Sequence, residues 1–288
     1  MAVENNVIEH YRHGALEQAL LQGLAAVGKD LNRLTPEDLA PADEFHIGGR
    51  QATIDFAAEF EPAADTHWLD IGSGLGGPSR YVAHHYKCRV TGVDLSEEYV
   101  AVAGSLAERV GLGGKVSYQQ ASALALPFED NSFDGVFMQH VGMNIADKPK
   151  LFNEVHRVLK PRSIFALYDV MRGNDCIFNY PVPWASGEET NFIETPATYR
   201  ALLSAEGFEV IKERDRSDFA LGFFKARQTK PTRAVPPSKF GLQIIMGPTS
   251  PQKVANMIGL VERGTVKPVV MICRRVEQAD SRGAGFAL

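Results

Sequence analysis

The chain has 288 residues, 44% hydrophobic and 23% charged, with a formal net charge of −5. That balance argues against a nucleic-acid partner, which calls for a concentrated basic face, and no run approaches the roughly 20 apolar residues of a membrane span. The opening "MAVENNVIEHYRHG" has no basic region followed by an apolar core, so no secretory signal is expected. Cys88, Cys176 and Cys273 are odd in number and far apart. They fit neither a disulfide framework nor a metal site, and a cytoplasmic location is expected.

Leu16, Leu20, Leu24 and Val27 recur at helical spacing and predict an amphipathic helix over 14–28. Its polar side carries Glu17 and Gln18, so it reads as a cover for the main domain rather than a membrane-surface helix. Residues 34–53 read as a Pro- and Gly-punctuated link, and 50–60 as a helix. Strands and helices then alternate. "HWLDIG" predicts a strand, 78–86 a helix, "CRVTGVDL" a strand and 97–110 a helix, with Ser96 as N-cap and Gly111 just past its end. "KVSYQQAS" and "FDGVFMQH" predict strands, 148–159 a helix and "SIFALYDV" a fifth strand.

Beyond Val170 the rhythm breaks. Residues 171–196 are aromatic-rich and aperiodic; a helix at 197–206 and the strand "FEVIKERD" follow. Residues 216–267 read as a second irregular insertion, with "KPTRAVPPS" as linker and a helix near 251–262. "KPVVMICRR" is the last strand, and 276–288 a disordered tail. The expected fold is α/β, doubly wound: a mostly parallel seven-stranded sheet with helices on both faces.

"HWLDIGSGLGGPSR" is a strand, a glycine turn and a helix start. Gly72, Gly74 and Gly77 satisfy the dinucleotide fingerprint, whereas Gly72, Gly74 and Gly76 satisfy G-x-G-x-G. Asp94, 20 residues beyond Gly74, suits an adenosine ribose in either case. A dinucleotide oxidoreductase is disfavoured because the C-terminal half shows no second nucleotide-binding unit.

Four motifs carry a resemblance: "LDIGSGLGG", "GVDLS", "LPFEDNSFD" and "EVHRVLKP", spread over roughly 65–215. Together they resemble a class I S-adenosylmethionine-dependent methyltransferase. "HIGG" at 46–49, "GLGGPSRYVAHHY" and "MQHVGMNIADK" resemble its small-molecule branch: the sarcosine and dimethylglycine N-methyltransferases and, more distantly, the tocopherol and ubiquinone C-methyltransferases.

The resemblance implies S-adenosyl-L-methionine as cofactor and S-adenosyl-L-homocysteine as product. It places the methionine moiety along Gly72, Ser73, Gly74 and Gly76, with Asp70 reaching its ammonium through backbone or water. Asp94 would take the ribose diol and Leu95 would pack on adenine. Relatives usually carry Asp where this chain has Ser122, so the adenine amine must be met more weakly or by the Ala123 backbone. The usual Pro-Gly-Gly turn before the fifth strand is Pro161-Arg162-Ser163 here.

The domain division that follows is an N-terminal cap (1–60), a methyltransferase domain (61–275) with lid insertions at about 171–196 and 216–265, and the tail. His140 lies past the fourth strand and is either a general base or a rim histidine satisfied by a backbone carbonyl. Gln139 either contacts cofactor or substrate or ends the strand. His46 is expected to position rather than catalyse, and His84 and His85 to be solvated. Tyr180, Trp184 and Phe192, with Phe178, form either a cation–π box or a lid underside, with the lid favoured. Met143 and Met171 are core or pocket wall. The acceptor is expected to be a small molecule, nitrogen modestly favoured over carbon, oxygen or sulfur. An apolar chamber would instead favour ring or lipid-like acceptors.

Overall fold

The computed structural model describes residues 2–175, 177–228 and 240–277. The "KPTRAVPPS" linker, Cys176 and residues 278–288 of the expected tail lie outside the described residues.

Four helices precede the sheet: α1 (Ala2–Tyr11), α2 (Leu16–Ala26), α3 (Pro36–Asp43) and α4 (Gly49–Ala57). The 34–53 segment is therefore no mere link. Thr35 caps α3 with a reciprocal box, its side chain accepting from the Asp38 N–H while Asp38 accepts from the Thr35 N–H, and Pro36 takes the first helical position. Proline there gives up an N–H that has no helical partner anyway.

The alternating part runs β1 (His67–Ile71), α5 (Gly77–Tyr86), β2 (Arg89–Asp94), α6 (Glu97–Arg109), β3 (Val116–Gln120), β4 (Phe133–Gln139), α7 (Lys148–Val158) and β5 (Leu159–Arg172). It continues with α8 (Pro196–Ala205), β6 (Phe208–Asp215), α9 (Ser217–Gln228), α10 (Gln243–Met246), α11 (Ser250–Glu262) and β7 (Val266–Arg275). The strand order is β3-β2-β1-β4-β5-β7-β6. All pairs from β3 to β5 are parallel, and β7 runs antiparallel to both β5 and β6.

Side-chain alternation explains why both faces are covered. Leu69, Ile71, Val136, Met138, Phe165 and Leu167 pack one way, against Leu151 and Val155 of α7. Trp68, Phe137, Ala166 and Tyr168 pack the other way, against Phe56 of α4 and Val82 of α5. Met171 belongs to the first of these cores. Leu16, Leu20 and Leu24 of α2 meet Tyr99, Val102 and Leu106 of α6, the covering role expected of that helix.

Two further expectations change. The 216–267 insertion is largely helical: Ala220 and Phe224 of α9 pack with Met257, Leu260 and Val261 of α11. α11 matches the helix expected near 251–262, whereas the short apolar stripe of α9 has too weak a period to stand out from sequence. β5 begins earlier than "SIFALYDV", and its pairing with β4 shifts register between Phe133 and Gly135. In that stretch Arg162 adopts φ 63°, the left-handed conformation a glycine takes without strain.

Among the described residues no helix is long and apolar enough to cross a membrane, and no cluster of His, Cys, Asp or Glu could hold a metal ion.

Candidate active site

A cavity of about 1780 Å³ opens over the carboxyl ends of β1, β2 and β4, where strand order reverses and an open α/β sheet leaves room for a ligand. Its floor at β1 is backbone. Gly72 and Gly74 have φ 69° and 53°. A Cβ at Gly72 would sit 2.3 Å from Val141 Cγ2, whereas one at Gly74 would meet nothing within 4 Å. Gly72 is thus required by its neighbours; Gly74 is required by its conformation and faces open space. Gly76 lies outside the cavity wall and instead caps α5 in the left-handed conformation.

The turn is tied to β2 through Asp94. The Gly74 N–H donates to Asp94 Oδ2 at 2.9 Å and the Ser96 N–H to Oδ1 at 2.9 Å. Burial raises the Asp94 pKa, and the backbone N–H groups of Ser96, Gly74 and Leu95 oppose that rise. At the end of β1, Asp70 is buried and accepts from Ser79 Oγ at 2.5 Å. Burial dominates there; Ser79 opposes it, Asp94 and Glu44 add to it, and the carboxyl is pushed up to about 8. Near neutral pH Asp70 holds a proton that an arriving cation would displace.

The β4 end carries Gln139 and His140. His140 has φ 54°, and its N–H donates to the Tyr168 carbonyl at 2.7 Å. Its ring meets Tyr168 edge-on at 4.5 Å and stacks on His46 at 5.9 Å. Neither ring nitrogen has a hydrogen-bond partner. Burial, then the neighbouring His46, hold its pKa well below 6.5, so the imidazole is neutral. Behind it, His46 Nε2 lies 2.9 Å from Glu44 Oε2, and Glu44 also accepts from Thr53 (2.6 Å) and Arg50 (2.8 Å).

Most buried side-chain polar atoms lacking a partner among the described residues belong to this cavity: those of Asp43, His46, Ser73, Tyr99, Gln139 and His140. Leaving such groups unpaired costs about 1–3 kcal/mol each. Their convergence on one cavity fits a polar ligand with several donors and acceptors. Away from the strand ends the wall turns apolar, with Ile47, Met143, Trp184, Phe223, Phe224, Met257 and Ile258.

This geometry meets its counterpart in known proteins. Residues 69–167 match a family model described as a methyltransferase domain. Over 183 residues the chain is 30% identical to the glycine/sarcosine/dimethylglycine N-methyltransferase of Actinopolyspora halophila, a match taking in 64% of this chain and 31% of that protein. It is 28% identical to an O-methyltransferase of Aspergillus sclerotiorum over 63% of this chain and 69% of the relative. Its fold is similar to that of a putative sarcosine dimethylglycine methyltransferase from Galdieria sulphuraria, with a TM-score of 0.63, 19% identity and coverage of 92% and 99% of the two chains. Residues 69–167 thus match a methyltransferase domain, and the chain's fold is that of solved methyltransferases. The chain spans less than a third of the length of the Actinopolyspora relative.

The sequence-selected cofactor residues Asp70, Gly72, Ser73, Gly74, Asp94, Leu95, Ser122, Ala123 and Gln139 all line one cavity, together with His46, His140 and Met143. Of the aromatic candidates, Trp184 lines it but Tyr180 and Phe192 do not. The Tyr180 hydroxyl accepts from Asn191 Nδ2 at 2.8 Å, and Asn191 Oδ1 accepts from Trp184 Nε1 at 2.9 Å. The Phe192 backbone N–H donates to the Met143 carbonyl at 2.8 Å. These two residues lie behind the cavity wall rather than in it. His84 and His85 are exposed, as expected.

Sequence reasoning missed Glu44, whose carboxylate fixes His46. The signal was present: an acid two residues before the histidine in "DEFHIGG". It also missed the buried ion pair between Asp43 Oδ2 and Arg80 Nη2 at 2.5 Å, which locks α3 to α5 beside the glycine turn.

Proposed function

We propose that this chain transfers the methyl group of S-adenosylmethionine to a small molecule with an apolar, ring-bearing or lipid-like body, at an atom that gives up a proton. The observation that carries the reading is His140: a buried, neutral imidazole with both nitrogens unpartnered, at the junction of the glycine turn and the apolar chamber.

The Gly72–Gly74 backbone and Asp70 hold the methionine end, Asp94 the ribose hydroxyls, and Leu95 one face of the adenine. S-adenosylmethionine supplies a sulfonium-activated methyl group. The remaining work falls to the chain. Trp184, Met143 and Phe223 hold the acceptor's body and keep water out, so alignment supplies much of the rate. His140 takes the proton that the acceptor loses as its new bond to carbon forms, and burial ensures that the imidazole arrives unprotonated. His46, held by Glu44 and Thr53, packs against the His140 ring and keeps it oriented. The wall formed by 171–196 and α9–α11 acts as a lid over this chamber.

The chamber wall favours an apolar acceptor over a glycine-like zwitterion, which would have to shed its hydration against Met and Phe side chains. A cytoplasmic location is consistent with Cys88 and Cys273, both free and buried. The test is product analysis: purified protein, labelled S-adenosylmethionine and a panel spanning glycine derivatives, phenols, other ring metabolites and isoprenoids. Methylation of ring or isoprenoid members is expected; turnover of glycine derivatives alone would refute the apolar-acceptor reading.

A further inference from the structure

We propose that Asp169 is a positioning residue for the transfer: its carboxylate clamps the turn after β4 and so holds His140 in the conformation that places its imidazole in the cavity wall. The inference rests on the reading of His140 as the base. His140 needs such a clamp. Its φ of 54° lies in the left-handed region, which a residue bearing a Cβ keeps only where its surroundings compel it.

β5 supplies that constraint through two consecutive residues, whose side chains point to opposite faces of the sheet. Tyr168 accepts the His140 N–H at its carbonyl and packs its ring edge-on against the imidazole. On the other face Asp169 is buried beneath Gly142 and Met143. A Cβ on Gly142 would sit 2.3 Å from Asp169 Oδ2 and 2.7 Å from the Tyr199 hydroxyl, so the turn rests directly on this pair. Tyr199 in turn donates to Asp169 Oδ2 at 2.6 Å. Burial pushes the Asp169 carboxyl up to about 6, and Tyr199, Lys148 and the N–H groups of Val170 and Met143 oppose that rise.

Lys148 closes the far end of the same turn. Its buried ammonium donates to the Ile145 carbonyl at 2.9 Å and to the Phe192 carbonyl at 2.5 Å. Asp169, Tyr199 and Lys148 stand outside the cavity wall, yet the turn above them carries His140 and Met143 into it. An apolar trio would pack α7 and α8 on the sheet equally well; a carboxylate can in addition accept a backbone N–H from the turn. A protonated carboxyl retains acceptor capacity, so the clamp is not a charge switch and survives mild acid.

NMR titration of carbon-13-labelled histidine rings in the full chain tests the clamp without any acceptor. In the wild type the His140 ring should not respond as pH falls through about 6.5. In Asp169→Ala the turn should relax, expose the imidazole to water and let it titrate near its ordinary value of about 6.5. With the first acceptor identified, kcat should fall by about 10- to 100-fold while S-adenosylhomocysteine affinity stays within about twofold. Gly142→Ala, which opens no void, presses a methyl onto Asp169 and should release His140 in the same way. Asp169→Asn keeps an oxygen for the Met143 N–H and should leave both the ring and kcat close to wild type. Leu203→Ala, a truncation in the core beside α8, should lower stability and leave His140 silent. A His140 ring that stays silent in Asp169→Ala and Gly142→Ala overturns the proposal, as does equal release in Leu203→Ala. Release of the ring with kcat unchanged supports the clamp and overturns His140 as the base.

Discussion

The two ends of the cavity are built from different materials. The end under β1 and β2 is backbone and carboxylate: two glycines in the left-handed conformation, N–H groups of Gly74 and Ser96 aimed at Asp94, and a buried Asp70. The far end is side chain alone, with Met143, Trp184, Phe223 and Met257 drawn from four separate segments. Backbone geometry recognises a fixed polar shape, and an apolar wall recognises little beyond size. The difference teaches which half is free to change. A scaffold of this kind keeps its cofactor and alters its acceptor by substituting the wall, since specificity resides in the site rather than the fold.

The sharpest break of this contrast is Asp94→Ala. It removes a carboxylate held by two backbone N–H groups and facing the ribose position. S-adenosylhomocysteine affinity should fall by ~2–4 kcal/mol in calorimetry. Unaltered affinity would make Asp94 a turn-holding residue.

Asp70 gives a pH-dependent test. Its carboxyl is protonated below about 8, and binding the ligand's ammonium requires the charged form. Binding therefore releases a proton, so affinity should rise by up to about tenfold per pH unit as pH climbs toward 8 and flatten above it. Asp70→Asn should remove that slope. Calorimetry in buffers of different ionisation enthalpy would reveal the proton directly; a heat independent of buffer at pH 7 would contradict the assignment.

At the other end, Phe223→Ala should raise the acceptor KM by about 1–2 kcal/mol equivalent of lost apolar contact. S-adenosylhomocysteine affinity should stay within about twofold. Equal losses in both would mean that the two ends are not separable. The smallest effect is expected far from the cavity, at Arg162. Replacing it by glycine relieves a left-handed residue at the start of β5 and should stabilise the protein by about 0.5–1 kcal/mol in a denaturant titration, without changing turnover.

The same contrast explains what the sequence disclosed. Gly72, Gly74, Asp94 and Ser96 were legible because their roles depend on local conformation: a strand end, a tight turn and a helix cap, each written in a few adjacent residues. The sheet was legible for the same reason, from its alternating strands and helices. Tyr180 and Phe192 were grouped with Trp184 because composition reveals that aromatics cluster but not which ring faces the cavity. The structure turns Tyr180 toward Asn191 instead. Asp169 and Tyr199 are 30 residues apart, a separation that no local pattern encodes. α3 had its signal in Thr35-Pro36-Glu37-Asp38, a capping box with proline at the first helical position, hidden among residues that otherwise read as a link.

The account turns on His140 as a neutral base between the two ends. With the first acceptor that the panel identifies, His140→Ala should lower kcat by ~10²-fold or more while S-adenosylhomocysteine affinity holds. Because burial keeps the imidazole pKa well below 6.5, the wild-type kcat, measured at saturating S-adenosylmethionine, should stay level as pH falls through 6.5. The variant's rate should instead climb with pH, as hydroxide takes over the proton. A near-normal kcat in His140→Ala, with the wild-type pH profile retained, would contradict the mechanism.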